Sequence, residues 1–253
     1  VTFRKALAAT VLGALALAGA APSLTAQTLL EQGDALFALR GESGKAEAAL
    51  AKYREALAAG EDAFGAYWRM ARAGYWIGDH TPDKAAKRRV FEMGIYHARK
   101  AVQLGPDRPE GHFWLGVNYG VYGEAKGVLK SLSLVKPIKE CMRRTLELDP
   151  GHDLGGPDRV LGRVYYELPG FAGGSKKRSL EHLLKSLEHG PDVGLTYIYL
   201  ADTYLALDQV DKAREALEHV LTMEPHPDLL PETVEERETA RKRLEGRPFK
   251  AIK

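Results

Sequence analysis

The chain has 253 residues, 45% of them hydrophobic, with 36 basic and 34 acidic side chains and a formal charge of +2. That excess comes entirely from Arg4 and Lys5, so the chain beyond them is neutral, with none of the basic surplus that binding nucleic acid or an anionic membrane calls for. One cysteine, Cys141, excludes an internal disulfide and reads as a small buried hydrophobe within a helix.

Residues 1–26 read as a secretory signal peptide. Arg4 and Lys5 precede an apolar run from Ala6 to Ala21, followed by Pro22 and the small-residue end Leu24-Thr25-Ala26. Cleavage is expected after Ala26, with Ala20 as a second site. The run falls short of the roughly 20 apolar residues of a membrane span, and no later segment is long and apolar enough to cross. The expected mature chain is periplasmic or secreted, without a lipidation cysteine beside the cleavage site. Residues 27–246 form one domain in this reading, and 247–253 a flexible tail.

Within that domain a helix-hairpin signature recurs. Leu29 to Leu39 reads as the first helix A, Gly41 to Gly44 as its turn, and Ala49-x3-Tyr53-x2-Ala56 as its helix B. The second hairpin carries Trp68-x2-Ala71-Arg72-x2-Tyr75 and ends at Pro106. The third, fourth and fifth carry Leu115-Gly116-x2-Tyr119, Leu161-Gly162-x2-Tyr165 and Leu200-Ala201-x2-Tyr204, ending at Pro150, Pro191 and Pro225. Glycine or alanine stands where two helices cross closely, and proline stops helix B. The second and third hairpins hold about ten extra residues each, and the fourth about five. The apolar insertion Val121–Leu134 reads either as an extension of helix A or as an oligomer contact. Residues 232–244 read as a polar capping helix. The fold class is therefore all-α, a solenoid of about five hairpins plus a cap.

This pattern resembles the tetratricopeptide repeat family over about residues 28–244. The resemblance implies an interaction module whose helix A residues line a concave face. A register taken from the Leu-Gly-Tyr positions puts Ala66, Arg69, Ala73 and Trp76 there from the second hairpin. It adds Glu110, Phe113, Val117 and Gly120 from the third, Gly156, Arg159, Arg163 and Tyr166 from the fourth, and Leu195, Ile198, Asp202 and Leu205 from the fifth. Arg69, Trp76, Phe113, Arg159, Arg163 and Tyr166 are the candidate ligand- or partner-binding residues of that face. Arg159 and Arg163, four apart, share a helix face. Together they suit a small organic anion, unless one is spent on Asp202 or Glu110. Lys84, Lys87, Arg88 and Arg89 read as a solvated basic face.

One stretch exceeds a generic hairpin: Gly155-Gly156-Pro157-x-Arg159, then Leu168-Pro169-Gly170-Phe171-x-Gly173-Gly174. It reads either as a structural turn plugged by Phe171 or as a loop that contacts a ligand or partner. With the secretory signal and the enlarged hairpins, it resembles the periplasmic T component of TRAP-type transporters. That resemblance implies an accessory protein that docks a solute-binding protein. The competing reading is a general scaffold or assembly factor for envelope or secretion machinery. The sequence shows no catalytic constellation, metal-ligand set or cofactor motif; histidines at 182 and 189 lack a third ligand.

Overall fold

The computed structural model describes residues 27–249; the expected signal peptide lies outside them. Among the described residues eleven α-helices follow one another as antiparallel hairpins. They are α1 (Leu29–Ala38) with α2 (Lys45–Ala58), α3 (Ala63–Asp79) with α4 (Lys84–Leu104), and α5 (Pro109–Lys126) with α6 (Val128–Leu148). Next come α7 (His152–Glu167) with α8 (Lys176–His189), then α9 (Gly194–Leu205) with α10 (Val210–Thr222). The last, α11 (Leu230–Leu244), is the cap. Helical turns at Gly170–Ala172 and Pro227–Leu229 interrupt the connections.

Local chemistry sets the ends. Thr28 and Glu31 form a reciprocal capping box on α1, and Glu61 accepts the next two amides, of Leu29 and Leu30. Asp83 caps α4 and Ser175 caps α8. Each of the prolines 106, 150, 191 and 225 falls within three residues after a helix B. The long insertions are not loops. They lengthen α3 to α6, and the α5–α6 break is one residue, Gly127, whose φ of 101° suits glycine.

At the crossings the small residues of the signature do what the pattern required. A Cβ at Gly116 would overlap Met142 and Cys141, and one at Gly162 would meet Leu183. Met142 and Leu183 fill those hollows and are fully buried. Cys141 lies in the same core, its thiol pushed up to about 12 by burial. Phe249 is buried against the α9–α10 core, and its carbonyl accepts from Arg214 at 2.7 Å.

The first and last turns of the solenoid meet. Arg40, in the α1–α2 turn, donates to both carboxylate oxygens of Glu232 on α11 and, at 2.6 Å, to the Asp228 carbonyl. Gly41 lies against Pro231, and His80 at the end of α3 reaches Glu235 at 2.8 Å. The superhelix is thereby drawn into a ring.

Candidate functional site

Ring closure shapes a half-open cavity of about 700 Å³. Its wall includes Tyr75, Trp76, Trp114, Arg159, Leu195 and Glu236, contributed by α3, α5, α7, α9 and α11. The volume lies within the usual range of small-ligand sites.

The strained part of this wall is the start of α7. Asp153, Leu154 and Gly155 have φ of 50°, 56° and 73°, three consecutive left-handed residues. Each non-glycine residue there costs about 1–2 kcal/mol. Arg159 holds the turn. Its guanidinium donates to the carbonyls of Asp153 and Leu154 at 3.1 Å each, and to the Asp153 carboxylate at 3.0 Å. Burial raises the Asp153 carboxyl above its ordinary range, against the lowering pull of Arg159. Gly155 packs so closely on the Ser186 backbone that no side chain fits. This explains the sequence Gly155-Gly156-Pro157-x-Arg159: it builds a left-handed turn and clamps it.

Arg163 is spent differently. It bonds Asp202 at 2.8 Å and pairs with Glu167, while its guanidinium lies 4.6 Å from the Tyr199 ring centroid. Asp202 also accepts from Arg243 of α11 at 2.6 Å. The expected two-arginine anion clamp does not form, because Arg159 is taken up by two carbonyls and a carboxylate and Arg163 by two carboxylates.

The other expected site residues divide. Trp76 reaches the cavity, donates to the Arg40 carbonyl at 3.1 Å and stacks on His80. Arg69 pairs with Asp34 at 2.8 Å between the first two hairpins. Phe113 is buried in the core, edge-on to Trp114 and His152. Tyr166 carries Lys176 and Arg163 over its ring. The concave register is corrected accordingly. Ala66, Ala73, Phe113 and Ile198 are core residues, and Arg72, Tyr75 and Trp114 take the inner wall. Long insertions change how each helix A rolls on its neighbours, so a register measured from the crossing residue drifts.

Phe171 is also corrected. It is 91% exposed and plugs nothing. Gly173, at φ 85°, and Gly174, packed on the Leu168 backbone, turn the chain so that Phe171 stands at the tip. Beside it runs a second hollow of about 630 Å³ along α6. Leu132, Val135 and Ala172 give it an apolar floor, with Lys136, Lys139 and Arg143 against Glu140 at the rim. Leu129, 86% exposed, and Val128 stand bare at the start of α6. Among the described residues no cluster of three or more metal-ligating side chains occurs, and no helix is long and apolar enough to cross a membrane.

Hairpin order, small-residue crossings and the capped, cavity-bearing solenoid define a tetratricopeptide-type helical-repeat protein. A solved structure shares this fold: TTC0263, a thermophilic TPR protein of Thermus thermophilus. It is 18% identical with a TM-score of 0.65, over 85% of this chain and 97% of that one. The model of the TRAP transporter T-component matches residues 110–241, just over half of the chain, and the chain belongs to that family. The model of Regulator of microtubule dynamics protein 1-3 matches residues 29–168, also just over half, so the N-terminal hairpins place the chain in that family as well. Regulator of microtubule dynamics protein 3 of Mus musculus is 29% identical over 101 residues, 40% of this chain and 21% of the relative. Its Rattus norvegicus counterpart is 26% identical over 166 residues, 59% of this chain and 35% of the relative. The chain thus spans about a fifth to a third of the length of these relatives.

Proposed function

We propose that this protein is a periplasmic accessory component of a TRAP-type uptake system and docks a solute-binding protein through the groove beside Phe171. The observation that carries this reading is a large aromatic side chain held almost wholly in solvent by a glycine-built loop, within the segment that matches the T-component family. Exposing a phenylalanine costs hydrophobic free energy of about 2 kcal/mol, and aromatic anchors of this kind dominate interface energetics. The cationic rim of Lys136, Lys139 and Arg143 favours a partner surface that is apolar at its centre and acidic at its edge.

The test is crosslinking capture from periplasm with the tagged protein and its Phe171→Ala variant. Recovery of a solute-binding protein by the parent, reduced at least about tenfold by the substitution as expected of a hot spot, supports the reading. Recovery of envelope-assembly or secretion proteins instead would favour the scaffold role, and capture indifferent to Phe171 would remove the groove from either.

A further inference from the structure

The central cavity holds more carboxylate than cation. Three guanidiniums reach it: Arg40 is paired with Glu232 and Arg159 with Asp153, while Arg72 shares Asp34 with Arg69 and keeps its buried Nε without a partner among the described residues. Asp149, Asp228 and Glu236 remain. Asp149 accepts the Gly151 amide at 3.0 Å and has His152 at 3.8 Å, and the largely exposed Asp228 has His226 at 4.0 Å. The His226 Nδ1 accepts the Asp228 amide at 3.2 Å, so it turns a lone pair rather than a proton toward that residue.

Glu236 is the odd member. Its side chain lies in the cavity wall with the residue only 8% exposed, and among the described residues no side chain bonds it; the Leu195 amide is its one donor. The charged groups around it are Glu232 and Glu235 of its own helix and Arg159. A buried carboxyl whose charge is so little offset keeps its proton until a cation is supplied. The same cavity has an aromatic side. Tyr75 and Trp114 stand 5.9 Å apart, tilted, and the Tyr75 hydroxyl has no partner among the described residues. Aromatic faces and carboxylates together recognise organic ammonium groups.

We propose that the cavity binds a small organic cation, an amine whose ammonium group pairs with Glu236 while its apolar body lies against the Tyr75–Trp114 wall. An anion meets the opposite situation. Beyond the single free Nε of Arg72, whose charge Asp34 already faces, it would have to draw Arg159 from the carbonyls of the left-handed turn or Arg40 from Glu232, and either loss opens the cavity wall. The inference stands apart from the Phe171 groove, and its failure leaves that reading untouched.

Phenethylamine and 3-phenylpropionate, similar in size and opposite in charge, are the probes. Tryptophan fluorescence reports binding through Trp76 and Trp114, and calorimetry gives the affinity, both on the full chain. Phenethylamine is expected to bind saturably, more tightly as the pH rises through 7 and Glu236 ionises, and 3-phenylpropionate not to. Glu236→Gln is expected to weaken the amine about tenfold or more, the worth of one charge-assisted hydrogen bond. The exposed Glu238→Gln is expected to leave it unchanged. A thermal unfolding transition in Glu236→Gln at or above that of the parent shows that the variant is folded. Equal or tighter binding of the acid, an unaltered amine affinity in Glu236→Gln, or absence of saturable amine binding would each overturn the proposal.

Discussion

Arg40 Nε donates to Glu232 Oε1 at 2.8 Å across 192 residues of sequence, and this pair joins the first turn of the solenoid to its last helix. The guanidinium is buried against Phe37 and Trp76, with centroid distances of 5.0 and 5.2 Å. A repeat protein normally contacts only its sequence neighbours. Here the ends contact each other, and the cavity exists because they do.

Arg40→Ala should therefore destabilise the protein by about 3 kcal/mol, the cost of removing one partner from a buried pair. Hydrogen exchange should rise first in α11 and the Pro227–Leu229 turn, with α5 and α6 unaffected. Uniform loss of protection along the chain would mean that Arg40 supports only its own hairpin.

Glu236 makes stability depend on pH in an unusual direction. Burial, followed by repulsion from Glu232, raises its pKa from 4.5 to about 7 in the folded protein. The native state thus binds a proton that the unfolded chain releases. Its contribution is complete below about 4.5 and is lost as the pH climbs toward 7. The whole effect is about 3 kcal/mol. Denaturant melts across that window should show the decline, and Glu236→Gln should flatten it. A parallel slope in the variant would refute the assignment.

Gly155→Ala tests the left-handed turn. Its φ of 73° and the adjoining Ser186 backbone both oppose a Cβ, and the combined cost should be about 3 kcal/mol or more. Phe171→Ser, at an exposed tip, should stay within about 0.5 kcal/mol of the parent. Thermal melts of the two variants side by side give the comparison.

Cys141 should be inert. Burial holds its thiol up to about 12, so little thiolate forms at neutral pH. A thiol reagent should label it only in denaturant. Rapid labelling of the native protein would show that the α5–α6 core opens.

Much of the fold was legible in sequence because it is local. Gly116, Gly162 and Ala201 mark crossings within single hairpins, and the prolines after each helix B mark the ends, so the five hairpins and the cap could be placed in order. The candidate site was less legible. Arg159 stands out in the sequence as special, but its use, bonding two carbonyls of a left-handed turn, depends on backbone angles at Asp153 and Leu154 that no residue type advertises. Glu236 lies in what reads as a polar capping helix, where nothing sets it apart from the glutamates beside it.

Residue pattern alone thus determined the helices, their pairing and their order, since those follow from contacts a few residues to one hairpin apart. Which side chains face inward depended on how each hairpin rolled on the next. Those small rotations accumulate along the chain, and only the tertiary structure summed them into a ring that brings Arg40 to Glu232 and leaves Glu236 in the wall of a cavity.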